Sequence, residues 1–397
     1  MKILVHDYPG YAFPVQLSRE LAKRGHTVMH AFASQLQCPR GELEKRADDP
    51  DSLTLQTVPM HADYAKDKYS FVKRRRHEIE YGNAAAKLVR EWKPEVVLSG
   101  QTPTEPQEPI LAASQEVGAR FHLWLQDFYS IAVDKLVRKK IPVVGGMIGS
   151  YYKKLDRRQF QAADGIVAIT DDFIPLLRDG FGVDPKNVAV VPNWAPLESL
   201  PVRTKDNAWA KKHGLDDKIV FLYTGTLGMK HDPALLLALA EHFKDDDEVR
   251  VVVVTEGIGA KWLEEQKATG KGKNLTVFPY QPFSDLPDVL GSGDIFVGVL
   301  EEDAGVFSVP SKVLSYHCAG RAILLSVPLE NLAARTLERT GAGTATAPGD
   351  VDGFLKAAQA LRDDPERRAS CAKKARDYAV ETFDIAAIAE RFEKILG

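Results

Sequence analysis

The sequence predicts two doubly wound α/β domains in series, each built on a parallel sheet. Three observations predict this. Short apolar runs alternate with helical patterns in both halves of the chain, the alternation breaks once at a proline-rich stretch near residue 195, and 397 residues are long for one core but comfortable for two.

The first apolar run covers residues 3–5, and Gly10 sits in the loop that follows. Residues 15–24 have helical spacing, with Val15, Leu17, Leu21 and Ala22 apolar, and Gly25 stands where a left-handed residue ends a helix. Residues 27–31, 96–98, 121–125 and 165–169 read as further strands with helices between them. Pro192, Pro196 and Pro201 then forbid a regular helix and suit a stiff linker over 193–205. The rhythm restarts at 219–223 and continues through strands at 249–255, Leu275–Phe278, Ile295–Val299 and 322–325. A last amphipathic helix covers 386–396, with Ile388, Phe392 and Leu396 on its apolar side. Open parallel sheets bind ligands beyond the carboxyl ends of their strands, so a cleft faced by the two domains is the expected site.

Composition narrows the function. A net charge of −3 does not suit a general nucleic-acid binder. Three widely spaced cysteines, Cys38, Cys318 and Cys371, support neither a zinc ribbon nor a disulfide framework and fit a reducing cytoplasm. The opening Met-Lys-Ile-Leu-Val reads as a buried strand rather than a signal peptide, and no apolar run has the length of a membrane span.

Two loops have the residues that phosphate needs. Residues 223–230 follow a strand and open the helix Pro233–His242. Gly225 and Gly228 let backbone approach a ligand, Thr226 adds a hydroxyl, and Lys230 adds a positive charge near a helix start. Ser308, Pro310, Ser311 and Lys312 precede a helix over 313–319, with Ser311 as the expected N-cap and outward-pointing amides beyond it. Each loop alone is equally an ordinary strand-to-helix connection; two in one domain favour a nucleotide diphosphate. Glu256-Gly257-Ile258-Gly259 is a poor dinucleotide fingerprint because Trp262 holds the third glycine position, and no Walker pattern occurs. The acidic run Asp245 to Glu248 reads as a solvated loop rather than a metal site.

Asp127 ends the apolar run around Leu125, where a carboxylate facing a cleft can take a proton from a sugar hydroxyl; a turn cap is the plain alternative. His6 and Asp7 follow the first strand without a feature that ranks them above structural roles. Two stretches are basic: Lys73 to Arg76, and the region from Lys135 to Arg158 around an uncharged segment at 141–149. Basic residues beside an apolar patch suit the anionic inner face of a membrane; a solvated helix face is the alternative.

Taken together these motifs resemble glycosyltransferase family 4, the retaining enzymes of the GT-B fold. The loop at Gly10 with Leu21 to His26 is similar to the family's opening; Ala163 to Thr170 and Val191 to Trp194 are similar to its interdomain approach; Tyr223 to Lys230 resembles its donor loop. Pro279 to Phe283 followed by Asp294 resembles the base-binding region. Pro310-Ser311-Lys312 with Tyr316 and Ala319-Gly320-Arg321 resembles the branch that builds bacterial surface polysaccharides, and Arg376 to Phe383 resembles the closing helices.

The resemblance implies a metal-independent, retaining transfer with no cofactor beyond the nucleotide-sugar substrate, most simply a UDP-sugar. It implies that residues 206–383 bind the donor and that 1–192 with the returning helix 384–397 bind a glycan or lipid-linked acceptor. Lys230, Lys312 and the amides near Ser308 to Ser311 would hold the diphosphate, with Glu256 beside them, and Tyr280 and Gln281 would contact the base. The chain departs from the family at two places. Many members carry a pair of glutamates in the donor site; counted back from Gly320, those positions hold Phe307 and Ser315, eight apart, leaving Glu301 or Glu302 as substitutes for the ribose contact. The frequent catalytic histidine is replaced by Gln126, and the neighbouring Asp127 becomes the candidate. Two other readings fit the same residues: a nucleotide-sugar epimerase of this fold, which needs no acceptor, and a non-catalytic nucleotide-sugar-binding scaffold of a polysaccharide complex.

Overall fold

The computed structural model describes residues 1–36, 40–67, 70–140, 142–228, 231–302 and 310–397, without the side chains of 136, 139, 140 and 142–144. Contacts divide the chain into two units, Met1–Pro192 with Ile385–Gly397, and Asn193–Asp384.

The first unit is built on a seven-stranded parallel sheet. Its strands are β1 (Lys2–Asp7), β2 (Thr27–Ala33), β3 (Leu53–Val58), β4 (Val96–Gly100), β5 (Arg120–Leu125), β6 (Gly165–Ala168) and β7 (Val188–Val190), in the order β3-β2-β1-β4-β5-β6-β7. Central β1 pairs Ile3 with Val28 on one side and with Val96 on the other. β4 and β6 are buried along their whole length, as strands covered by helices on both faces must be, which is why they read as continuous apolar runs. Edge strands β3 and β7 are half-exposed and lack that signature.

The final helix, Ile385–Leu396, belongs to this first unit. It buries Ile388, Ala389, Phe392 and Leu396, and the Phe392 ring meets the edge of Trp124 with centroids 4.9 Å apart. Glu393 fastens it by accepting from Arg24 and His26, and Arg391 donates to the Val190 carbonyl at 2.8 Å.

The second unit holds six parallel strands: β8 (Ile219–Thr224), β9 (Val249–Val254), β10 (Leu275–Phe278), β11 (Ile295–Val299), β12 (Ala322–Ser326) and β13 (Gly343–Thr346). Their order is β10-β9-β8-β11-β12-β13, so the strand sequence reverses between β8 and β11. Phe221, Val251, Leu236, Leu324 and Phe354 are in its core. Its helices start on well-formed caps: Asp232 accepts from Ala234 N ahead of Pro233, and Asp364 accepts from Arg367 N ahead of Pro365. The proline-rich segment after residue 192 packs on this unit: Trp194 is buried, and Arg376 donates to the Leu200 carbonyl at 3.2 Å.

One sequence reading changes, and two charged runs gain partners. Asp294, grouped by sequence with the base-binding region, lies at the amino edge of the second sheet, where its carboxylate accepts from Val220 N at 2.8 Å and pairs with Lys205. A residue just before a parallel strand must lie at that edge, opposite the ligand-binding loops. The acidic run is a tied turn: Arg362 pairs with Asp246 at 2.8 Å and Glu248 at 3.3 Å. The basic run at Lys73 is locally neutralised, by Asp67, Glu78, Glu105 and Glu80 for successive residues.

Candidate functional site

The reversal between β8 and β11 opens the site. The two strands pair only at Ile295–Phe221 and Phe296–Leu222, and past Leu222 they part. Parting strands leave backbone groups without ladder partners. One side chain fills the gap: Tyr316, fully buried on the helix Lys312–Ala319, accepts from Thr224 N at 2.9 Å and donates to the Val297 carbonyl at 3.1 Å. Burial raises its phenol to about 12, so it stays a donor at neutral pH. Its ring stacks on Phe296 with centroids 4.4 Å apart.

Lys312 lies one turn earlier on the same helix face. Its ammonium sits 3.7 Å from the centroid of the Tyr223 ring and bonds the Tyr223 hydroxyl, which in turn donates to Thr226 O at 3.0 Å. Among the described residues it makes no ion pair, and desolvation drives its pKa well below that of a free lysine. Gly225 makes room for it. At φ +106° this glycine adopts backbone that side chains avoid, and a Cβ there would stand 3.3 Å from Lys312 Cε. Gly225→Ala should therefore cost about 1–3 kcal/mol of stability and raise the donor KM by displacing the lysine, read by thermal unfolding and donor-saturation kinetics.

The loop after β8 is pinned to the loop after β9. Leu227 N donates to Thr255 Oγ1 at 3.0 Å, and Gly259 N donates to the Leu227 carbonyl at 3.1 Å. A Cβ at Gly259 would stand 2.8 Å from that of Leu227, so the glycines of the imperfect dinucleotide fingerprint serve loop packing. Thr226 Oγ1 bonds the Tyr280 hydroxyl, linking the loops after β8 and β10. Gln281 is fixed by Trp209 Nε1 at 3.2 Å and by its own amide on the Pro279 carbonyl at 2.9 Å. Glu256 is exposed at the end of β9, Pro310 is buried, and Glu301 and Glu302 follow β11. Gly225, Thr226, Glu256, Tyr280, Gln281, Pro310, Ser311 and Lys312 thus all lie on the carboxyl-edge loops of one sheet. Lys230, Ser308 and Phe307 lie outside the described residues.

Ser311 occupies the N-cap position without a side-chain cap bond, because its own backbone is helical. The amides of Val313 and Leu314 bond back to Pro310 and Ser311 carbonyls at 3.1 Å, so the first turn is tightened and those donors are used internally. The charge this helix start offers is the Lys312 ammonium. Sequence reasoning missed the shelf and strut made by Tyr223 and Tyr316; their only signal was the four-residue spacing of Lys312 and Tyr316.

The first sheet reverses between β1 and β4, and Gly10 lies there, in the other unit from the remaining predicted donor residues. At φ +78° it packs against the segment near Gly41, whose amide bonds its carbonyl at 2.9 Å. His6, at the end of β1, bonds Ser99 Oγ at 2.7 Å and the Tyr81 hydroxyl at 2.8 Å. Asp7 accepts from Tyr11 N at 2.6 Å, and burial raises its carboxyl to about 8. Asp127 is exposed in the turn after β5.

This buried polar group sets a pH profile. His6 and His30 are held neutral by burial, each at about 3 against 6.5 when unfolded. Below pH 6.5 the unfolded chain takes up protons that the fold refuses, and stability falls by about 1.4 kcal/mol per pH unit for each. Asp7 works oppositely: it keeps a proton that the unfolded chain releases above about pH 4, so its contribution falls as pH rises from about 4 to 8. Between about pH 4 and 6.5 the two histidines outweigh Asp7, and from 6.5 to about 8 Asp7 acts alone. The melting temperature should peak near pH 6.5, and Asp7→Asn should flatten the limb from 6.5 to about 8 and steepen the limb from 6.5 down to about 4.

No helix among the described residues is long and apolar enough to cross a membrane. The family model described as Glycosyltransferase Family 4 matches residues 14–199, and that described as Glycosyl transferases group 1 matches residues 205–378. WcaI of Escherichia coli (strain K12), a glycosyl transferase assigned to colanic acid biosynthesis, is 24% identical over 304 residues, covering 74% of this chain and 72% of that protein. Among solved structures, Anabaena HepE in complex with UDP and glucose aligns with a TM-score of 0.71 at 15% identity, over 100% of this chain and 99% of that one. WaaG, a glycosyltransferase involved in lipopolysaccharide biosynthesis, aligns with a TM-score of 0.67 at 15% identity, over 99% of each chain. At such identities the structural likeness is one of fold. Two family models in tandem, on two parallel-sheet units with ligand-type loops at the strand reversal, place the chain: it is a glycosyltransferase belonging to glycosyltransferase family 4, with the GT-B fold.

Proposed function

We propose that the chain moves a sugar from a UDP-sugar to a glycan or lipid-linked acceptor in cell-surface polysaccharide synthesis, with retention at the anomeric carbon and without a metal ion. The observation that carries the reading is Lys312. A desolvated ammonium with no carboxylate partner among the described residues is costly to a fold, and the donor diphosphate is the counter-charge that justifies it. In transfer, the bond from the anomeric carbon to the β-phosphate oxygen breaks and negative charge grows on the departing diphosphate. A preorganised cation acts most strongly on charge that develops there. Lys230 and Ser308 belong to the same diphosphate set by resemblance. Tyr280 and Gln281 frame the base, and Glu301 or Glu302 takes the ribose contact in place of the missing glutamates. Asp127 accepts the proton of the acceptor hydroxyl.

The UDP reading is supported by HepE, solved with UDP and with UDP-glucose, and the polysaccharide reading by WcaI and WaaG. Contact with an anionic membrane is supported by Met147, which is 73% exposed in the uncharged stretch flanked by the basic residues from Lys135 to Arg158. Thermal shift with UDP, GDP and their sugars tests the donor. UDP should raise the melting temperature by mass action and GDP should not. Binding without turnover on any lipid-linked acceptor would favour the scaffold; no binding at millimolar nucleotide would sink both.

A further inference from the structure

The first unit carries a second cluster of coordinating side chains that sugar transfer does not use. His61 follows β3, and His77 and Glu80 sit three apart on the helix Phe71–Trp92, on one face. One ligand atom from each of the three lies within 4.8 Å of the others. The imidazoles of His61 and His77 stack, with centroids 4.0 Å apart.

His77 is the telling member. It is 6% exposed, and its Nε2 donates to Asp67 Oδ2 at 3.1 Å. In the neutral ring that bond places the proton on Nε2 and leaves a lone pair on the buried Nδ1, which has no hydrogen-bond partner among the described residues. Glu80 Oε2 stands 3.9 Å from it, too far for a hydrogen bond; the other oxygen of Glu80 is held by Arg76 Nε at 2.9 Å. A carboxylate on one imidazole nitrogen and an unsatisfied lone pair on the other, facing a second histidine and a carboxylate, is how proteins orient a ligand to a metal ion.

The geometry points to a binding site for a divalent transition metal of the zinc class, formed by His61, His77 and Glu80, with Asp67 orienting His77. Two imidazole nitrogens and one carboxylate oxygen, with water in the fourth position, suit zinc, whose bonds to such atoms are about 2.0–2.2 Å. Binding draws the three ligand atoms together. His61 is exposed; its Nδ1 accepts from Asp63 N at 3.1 Å, a bond that an ion taking that lone pair replaces while the exposed amide turns to water. The ion ties the segment after β3 to the helix Phe71–Trp92. Between them lies Tyr64, whose hydroxyl donates to Glu78 at 3.1 Å and accepts from Tyr8 at 3.3 Å. The role is that of a staple at the carboxyl edge of the first sheet. The donor loops belong to the other unit, so this proposal does not depend on the donor reading.

The test uses untagged, full-length protein stripped of metal, titrated with Zn²⁺ against a chromophoric chelator. One equivalent should bind with micromolar affinity, raise the melting temperature, and weaken as pH falls and the imidazoles protonate. Asp67→Asn should weaken it about 10–100-fold. His77→Ala removes a buried ring, so the exposed His61→Ala and Glu80→Gln carry the test should that variant unfold. Loss of the equivalent in both supports the site. No saturable equivalent below millimolar zinc, or one that survives both substitutions, would overturn it, since the chain has ten histidines that bind zinc casually.

Discussion

Lys312→Met should remove most sugar transfer and at the same time raise the melting temperature. The two effects share one cause. In the free protein the ammonium is desolvated, and its compensation is the Tyr223 ring and hydroxyl. Methionine keeps the stem over the ring and omits the charge, so relief of burial should give about 1 kcal/mol, or about 2–4 °C. The same charge is absent when the diphosphate leaves, and loss of one preorganised donor costs about 10²–10³-fold in kcat. A second signature follows from the lowered pKa. An arriving diphosphate restores the charged form, so donor binding should take up protons wherever the free lysine is partly neutral. Calorimetric titration with UDP in buffers of different ionisation heat reads that uptake directly, and the variant should lose it. Unchanged transfer in Lys312→Met would take this lysine out of the donor site.

The fold was largely legible because its central strands are buried on both faces. Runs such as Val251 to Val254 and Ile295 to Val299 have no polar alternation to confuse with an exposed sheet. β3, β7 and β13 were not read. They are edge strands with half-exposed residues, and four residues such as Gly343 to Thr346 look like any turn. The candidate site divides along the same physical line. Lys312 was visible as a cation at a helix start after a strand, which is a local property. The strut at Tyr316 depends on β8 and β11 parting after two paired residues, and strand separation is decided by the whole sheet. The cluster at His61 was invisible for a similar reason: sixteen residues and a chain reversal separate His61 from His77. Asp294 could have been placed correctly, since its position immediately before a strand fixes which edge it occupies.

Tyr316→Phe should have the opposite effect on stability from Lys312→Met although the two residues are neighbours on one helix face. Phenylalanine keeps the stack on Phe296 and deletes one oxygen. That oxygen is the partner of Thr224 N and of the Val297 carbonyl, both at the point where the sheet opens. A buried donor or acceptor left unmade costs about 1–3 kcal/mol, so the pair should cost about 2–6 kcal/mol and lower the melting temperature by about 2–4 °C for each kcal/mol. The urea slope should not change, because the surface exposed on unfolding is the same. Donor affinity should fall with stability, since Thr224 leads directly into Gly225 and Thr226. A variant of unchanged stability would mean that water reaches both backbone groups, and the gap between β8 and β11 would then be wet enough to hydrate Lys312 as well. The stability of Tyr316→Phe therefore also tests the desolvation on which the assignment of Lys312 rests.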